Sequence, residues 1–187
     1  MKPMYQVFIA EDEPAALQHL CNIIRIKCQN FQVVGTAENG QEALEQLESF
    51  HPDILITDVK MPVMDGIMLA KRVKERYPDL LTVIISGYQD FSYAQSALRF
   101  GVCDYILKPV KPSVLQESLR ILKGRLDEYY YKMRNRIIHE MCAGNFTENP
   151  GFQQIFPEEE YYTALLRKNS LPRRFLESQG VEFFSGM

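Results

Sequence analysis

The stretch His51-Pro-Asp-Ile-Leu-Ile-Thr-Asp-Val-Lys-Met-Pro-Val-Met-Asp-Gly66 is the segment around which the rest of this chain is organised. Its apolar run, residues 54–56, is unbroken, which is typical of a strand buried on both faces in a parallel sheet. The run ends at Asp58, so a carboxylate lies at the carboxyl end of a central strand, where ligands bind in open α/β sheets. Taken alone, the stretch fits an ordinary strand–loop–helix with an acidic turn equally well.

Strand and helix patterns alternate on both sides of this stretch. Strands are predicted over residues 5–10, 32–37, 54–58, 82–85 and 104–107, and helices over 14–27, 40–47, 67–76 and 91–100, with a fifth from Pro112. Right-handed crossovers cover both faces of such a sheet with helices. The sequence therefore predicts an α/β fold, a flavodoxin-like doubly wound five-stranded parallel sheet of order 2-1-3-4-5 with an extended C-terminal helix.

Composition indicates a soluble globular protein. The 187 residues are 46% hydrophobic and 24% charged, which allows one well-cored domain with an appendage or two small domains. No apolar run approaches the ~20 residues of a membrane span, and the start lacks a signal peptide, so a cytoplasmic location and no membrane association are expected. A net charge of −3 gives no electrostatic footprint for nucleic acid.

The cysteines show no metal-ligand spacing. They are Cys21, Cys28, Cys103 and Cys142, without a C-x-x-C pair. In a reducing cytoplasm they are predicted to be small core residues rather than disulfides or metal ligands.

Carboxylate, hydroxyl and ammonium side chains, which can bind a metal ion or an anion, lie at the ends of four of the predicted strands. Glu11 and Asp12 follow the first, Asp58 ends the third, Ser86 ends the fourth and Lys108 follows the fifth. In the order 2-1-3-4-5 the first and third strands are neighbours, so their carboxylates converge. Clustered carboxylates repel one another unless a cation lies between them, and oxygen ligands of this kind suit Mg²⁺. A lysine and a hydroxyl can bind the remaining oxygens of a phosphoryl group. Asp58 is thus predicted to be a nucleophile that forms an aspartyl phosphate.

These motifs resemble the receiver domain of two-component response regulators. The match runs from residue 5 to about residue 124 and rests on Glu11-Asp12, Asp58-Val-Lys-Met-Pro-Val-Met-Asp-Gly66, Ser86-Gly87 and Tyr105-Ile-Leu-Lys108-Pro109. The resemblance implies that Asp58 accepts a phosphoryl group from a sensor histidine kinase. It also implies a switch protein rather than an enzyme, with only stoichiometric self-phosphorylation and slow autodephosphorylation.

Further site roles are implied by the same resemblance. Mg²⁺ would be bound by Asp12, Asp58 and the backbone carbonyl of Lys60, with Glu11 acting through water. Lys108 would pair with the phosphoryl group, Ser86 would be the switch hydroxyl, and Tyr105 would be the aromatic that swings inward behind it.

Three segments are expected along the chain: a receiver domain over residues 1–124, a helical linker and possible coiled coil over 125–145, and a final segment over 146–187. The last is read as the start of a truncated middle domain or as a docked tail. Residues 86–94 and 101–110 are similar to a narrower group of transcription regulators with an AraC-type helix-turn-helix output. DNA binding would then belong to a C-terminal domain absent from this chain.

An apolar stripe continues along the fifth helix. Its members recur at alternating steps of four and three, the spacing of a coiled-coil seam: Leu115, Leu119, Leu122, Leu126, Tyr129 and Met133. The first two are expected to pack on the sheet, and the last three to be exposed in a monomer. The stripe therefore predicts a phosphorylation-enhanced parallel homodimer.

One enzymatic alternative shares the same chemistry. A haloacid-dehalogenase-type phosphatase or phosphotransferase also uses an aspartate nucleophile with Mg²⁺. That class has a second acid two residues after its nucleophile, where this chain has Lys60, and it normally adds a cap domain that is not found here.

Overall fold

The computed structural model describes residues 4–87 and 99–142 of the chain. Nine helices and strands are assigned in this part: β1 (Tyr5–Ala10), α1 (Pro14–Lys27), β2 (Phe31–Ala37), α2 (Gly40–Phe50), β3 (Ile54–Asp58), α3 (Gly66–Arg76), β4 (Leu81–Ser86), β5 (Asp104–Leu107) and a long helix (Pro112–Cys142). Residues 91–98 of the predicted fourth helix and the whole predicted segment 146–187 lie outside the described residues.

The five strands form one parallel sheet in the order β2-β1-β3-β4-β5, so the predicted fold class and strand order are confirmed. Strand β3 is central and is buried at every position, as its unbroken apolar run predicts. Because all strands are parallel, their carboxyl ends lie along one edge of the sheet.

Alternate side chains of the central strands build a core on each face of the sheet. Ile54 and Ile56 pack in one cluster with α1 and the long helix, whereas Leu55 packs in a second cluster with α2 and α3. Burial on both faces explains why β3 carries no polar residue before Thr57. Cys28 is buried and Cys21 and Cys103 are half-buried against the first cluster, all as free thiols.

Side-chain caps define where two of the helices begin. The Asn39 side chain accepts a hydrogen bond from the Glu42 N–H at 2.9 Å and so caps the start of α2. The Glu42 carboxylate accepts from the Glu38 N–H at 3.1 Å, one residue before the cap rather than at the cap itself. At α3, the Asp65 side chain accepts from the Met68 N–H at 2.7 Å, so the loop after β3 is fixed where it enters the helix.

The prediction that the later part of the stripe is exposed in a monomer is wrong. Leu126 is only 4% exposed and belongs to the same core cluster as β1 and β3, and Tyr129 and Met133 are half-buried. The physical reason is that the long helix continues past residue 124 along the sheet, so that Tyr130 reaches Asp53 at the start of β3. The stripe is therefore largely covered by its own chain.

Two compact units divide the chain, Met1–Asn135 and Arg136–Met187. The first contains the whole sheet and the site described below; of the second, residues 136–142 are described, and they are helical. No helix in the described part of the chain combines the length and apolarity needed to cross a bilayer.

Candidate functional site

Three carboxylates meet at the carboxyl edge of the sheet. Glu11 and Asp12 directly follow β1, and Asp58 is the last residue of the neighbouring β3, in which Thr57 lies opposite Ala10. One oxygen from each of the three acids lies within 4.8 Å of the others. Glu11 and Asp58 are buried and Asp12 is exposed, so the cluster has a closed floor and an open side.

Lys108 places its ammonium group among these acids. Its backbone N–H donates to the Ser86 carbonyl at 2.8 Å, directly after the β4–β5 pairing, and its peptide bond to Pro109 is cis. Its Nζ lies 2.9 Å from Asp58 Oδ2 and 2.9 Å from Glu11 Oε2. One cation therefore bridges the carboxylates of two different strand ends.

The Asp58 carboxylate is held in one orientation. The Val59 N–H donates to Asp58 Oδ1 at 2.7 Å, and Lys108 donates to Oδ2 at 2.9 Å. The loop turns back at once, because the Gly66 N–H donates to the Val59 carbonyl at 2.9 Å. With each oxygen bonded to a different donor, the side chain is positioned before any ligand arrives.

Burial and the charges of neighbouring groups together set the pKa values of Glu11 and Lys108. Burial raises the pKa of Glu11, and the charge of Asp58 adds to that effect, while the hydrogen bond from Lys108 opposes it. Burial works to lower the pKa of Lys108, but the hydrogen bonds and charges of Asp58 and Glu11 outweigh burial and raise it. Lys108 is therefore held firmly as a cation.

The donor set fits a divalent cation such as Mg²⁺. Among the described residues, the three acids have one ammonium group, that of Lys108, within ion-pair distance, so the cluster keeps uncompensated negative charge. Glu11 Oε2 is buried and lacks a hydrogen bond of good geometry among the described residues, although the Lys108 ammonium is an ion-pair neighbour. Hard carboxylate oxygens are the ligands that Mg²⁺ prefers, so the three acids suit this ion.

The other predicted site residues differ in how far they are buried. Ser86 is fully buried at the end of β4, next to the strand that carries Asp58. Lys60 is exposed two residues after Asp58. Tyr105, in β5, is half-buried against a small cluster that includes Ile84 and Val102. The structure thus brings together Glu11, Asp12, Asp58 and Lys108 by direct distances, whereas the switching roles of Ser86 and Tyr105 stay predictions.

Comparison with known families agrees with this geometry. The family model described as the response regulator receiver domain matches residues 7–120 of the chain. The chain belongs to this family.

The chain is also similar to a response-regulator receiver domain of known structure and to curated transcription regulators. The receiver domain of AraT, a response regulator from Geobacillus stearothermophilus, is 39% identical, with a TM-score of 0.63, and the match covers 67% of this chain and 98% of that one. An uncharacterized transcriptional regulatory protein of Bacillus subtilis, YesN, is 31% identical over 163 residues, 87% of this chain and 42% of that protein. The DNA-binding transcriptional regulator NtrC of Escherichia coli is 34% identical over 123 residues, 65% of this chain and 26% of that protein. The chain thus spans less than half the length of these curated relatives.

One contact beside the receiver site was not predicted. The Gly40 N–H, at the start of α2, donates to the Met64 carbonyl at 3.0 Å, which ties the loop after Asp58 to a neighbouring helix. A Cβ at residue 40 would lie 2.7 Å from that carbonyl oxygen, so the approach requires glycine. The Asn39-Gly40 pair is a visible signal for a tight turn, but the sequence does not reveal its partner.

Proposed function

We propose that this receiver domain accepts a phosphoryl group on Asp58 and passes the resulting change to an output that controls transcription. The observation that carries the proposal is the convergence of the Glu11, Asp12 and Asp58 oxygens within 4.8 Å, with the Lys108 ammonium 2.9 Å from Asp58. A nucleophilic carboxylate, a cation site and a fixed ammonium group are the parts that phosphoryl transfer requires.

Different residues of the chain have different proposed roles in the transfer. An Asp58 oxygen attacks the phosphorus of a phosphohistidine, a P–O bond forms as the P–N bond breaks, and the imidazole leaves with the electron pair of that bond. Glu11, Asp12, Asp58 and the backbone carbonyl of Lys60 would hold Mg²⁺, which supplies charge neutralisation at the phosphoryl oxygens when bound. Lys108, already beside Asp58 Oδ2, would pair with the new phosphoryl group, and Ser86, which ends the neighbouring strand β4, would supply a hydroxyl to the same group.

Partners and output follow from the same proposal. The donor would be a cognate sensor histidine kinase, and the phosphorylated domain would form a homodimer. DNA contact would belong to an AraC-type output domain outside this chain, which is consistent with the similarity to YesN, a transcriptional regulatory protein. The cytoplasmic location and the boundaries at residues 124 and 145 remain predictions.

The phosphatase alternative is not favoured. Receiver domains usually act as switches without turnover, and the family match covers the residues that form the site. Lys60 is exposed at the position where the phosphatase class has its second acid. We therefore propose stoichiometric self-phosphorylation with slow loss of phosphate rather than catalysis.

Intact-mass spectrometry after incubation with phosphoramidate and Mg²⁺ tests the acceptor. The unaltered chain should gain one phosphoryl group, and Asp58→Asn should gain none, because the amide is not a nucleophile toward phosphorus. Asp65→Asn is the matched control, since Asp65 lies in the same loop, caps α3 and is not a member of the carboxylate cluster. An adduct of equal yield on Asp58→Asn, or many turnovers of the donor per chain, would overturn the proposal.

A further inference from the structure

A second polar cluster lies at the opposite, amino-terminal edge of the sheet. The Tyr5 hydroxyl, at the start of β1, donates to Asp127 Oδ1 at 2.5 Å, and the Tyr130 hydroxyl donates to Asp53 Oδ1 at 2.5 Å. Asp127 and Tyr130 are on the long helix, whereas Tyr5 and Asp53 belong to the sheet side. These four residues, which we term the latch, connect the helix to the sheet well beyond residue 124.

Neighbouring groups hold the latch in place. The Gln6 backbone N–H donates to Asp53 Oδ2 at 2.7 Å, so this carboxylate also fixes the chain entering β3. The Lys123 ammonium lies 2.7 Å from Asp127 Oδ2 and 5.9 Å from the centre of the Tyr5 ring. Hydrogen bonds from hydroxyls to carboxylates are stronger than neutral ones and are directional, so the latch fixes the helix register as well as its position.

The latch keeps packed on the sheet the same part of the stripe that a coiled coil would use. Leu126 lies in the core cluster that also contains Tyr5, with Tyr130 packed against that cluster. The ring centres of Tyr5 and Tyr130 are 6.1 Å apart. A side chain packed on the sheet cannot pack at the same time in a helix–helix seam. Docking on the receiver and pairing with another helix therefore exclude each other.

The sequence of this segment suits a second copy of the same chain. The stripe keeps the four-and-three spacing of a parallel coiled coil, and both signs of charge border it, on Lys123, Arg125, Asp127, Glu128, Lys132 and Arg134. A border of one sign would repel its own copy, whereas a border with both signs is compatible with the self-complementarity that an isologous interface requires. Arg125 and Glu128 are exposed in the docked state, and Glu128 pairs there with Lys132 of its own helix at 2.6 Å.

We propose that the latch is an autoinhibitory contact, which keeps the stripe on the receiver and thereby prevents it from pairing with the stripe of a second copy. Opening the latch releases residues 123–133 to form the parallel homodimer. This competition goes beyond phosphoryl transfer at Asp58, and it operates in unphosphorylated protein.

Sedimentation equilibrium without any phosphoryl donor tests the proposal, so its outcome is independent of Asp58 chemistry. The doubly substituted Tyr5→Phe/Tyr130→Phe chain keeps both rings but loses both hydroxyls, and it should dimerise about ten-fold more tightly than the unaltered chain. Tyr77→Phe is the matched control and should change nothing, because the Tyr77 hydroxyl is buried without a hydrogen bond among the described residues. Adding Met133→Asp, outside the core clusters, should remove the gained dimerisation.

Amide hydrogen exchange over residues 124–133 supplies the second measurement. At concentrations too low for pairing, the double variant should exchange faster there than the unaltered chain. Faster exchange without any gain in dimerisation would overturn the choice of a second copy as partner, and unchanged exchange would overturn the latch. An unaltered chain that is already a tight dimer through Met133 would also overturn it. If the double variant fails to fold, Tyr5→Phe and Tyr130→Phe are compared singly against the same outcomes.

Discussion

At the scale of single residues, Lys108 is the group on which the site's charge balance depends. Its ammonium group pairs with both Asp58 and Glu11. Because Glu11 is buried, leaving its carboxylate without a cation would destabilise the folded state. A divalent cation and this ammonium group would therefore neutralise the same oxygens. The two cations are expected to compete.

Lys108→Ala should bind Mg²⁺ more tightly than the unaltered chain. The ammonium group no longer repels the ion, and the three carboxylates lose their other source of neutralisation, a difference on the order of 1 kcal/mol. Thermal unfolding across a Mg²⁺ titration measures it: the variant should be less stable without the ion and should gain more stability when the ion is added.

Lys111→Ala provides the control for that experiment, since Lys111 is exposed and close in sequence. It should respond to Mg²⁺ like the unaltered chain. Weaker or equal Mg²⁺ stabilisation of Lys108→Ala would contradict the competition.

At the scale of elements, two glycines in helices have opposite surroundings. Gly66 is the first residue of α3, and a Cβ there would lie 1.9 Å from the Asp58 carbonyl oxygen. Gly124 lies within the long helix, is exposed, and a Cβ there would meet nothing within 4 Å. The first glycine is required by a close backbone approach, and the second only weakens its helix.

The pair Gly66→Ala and Gly124→Ala should therefore change stability in opposite directions. Gly66→Ala should lower the free energy of unfolding by more than about 3 kcal/mol, because backbone atoms have to move. Gly124→Ala should raise it by roughly 0.5–1 kcal/mol through helix propensity. Urea denaturation of both variants measures this. A stability loss in Gly124→Ala would show that the position has a packing partner.

At the scale of the whole molecule, the long helix is connected to both edges of the sheet. The segment before it carries Lys108, which bridges Asp58 and Glu11 at the carboxyl edge, and its later turns carry Asp127 and Tyr130 of the latch at the other edge. Strand β3 lies between, with Asp53 just before it and Asp58 at its end. One strand thus separates the proposed acceptor from the latch.

Alkaline pH should weaken the latch. Burial, followed by the hydrogen bond to Asp127, raises the pKa of Tyr5, and burial, followed by the hydrogen bond to Asp53, raises the pKa of Tyr130. Both pKa values exceed the ordinary value of about 10 in the unfolded chain, so the stability they contribute is complete below about pH 10 and is lost as the pH rises above it. Thermal unfolding between about pH 8 and pH 11 should show this loss, and tyrosinate absorbance should show the late titration.

The Tyr5→Phe/Tyr130→Phe chain is the reference for the alkaline experiment. It lacks both titrating hydroxyls, so its stability should fall less steeply over the same range. Parallel curves for the two proteins would show that the latch hydroxyls do not contribute to the alkaline loss.

The α/β fold, the strand order and the edge at which the site lies could all be predicted from the sequence. These features follow from the unbroken apolar run of β3, from polar residues at the ends of four of the five strands, and from alternating strand and helix patterns with right-handed crossovers. The convergence of Glu11, Asp12 and Asp58 follows from strand order alone, and the structure agrees with it.

The surface that covers the later turns of the long helix could be identified only from the folded structure. The spacing of the stripe predicts that Leu126 packs against another surface. The same spacing fits packing on the sheet of its own chain and packing on the helix of a second copy. The choice depends on Tyr5 and Asp53, which are distant in sequence and reach the helix only once β1 and β3 are side by side. Contacts of this kind arise from the packing of separate elements, and no local periodicity encodes them.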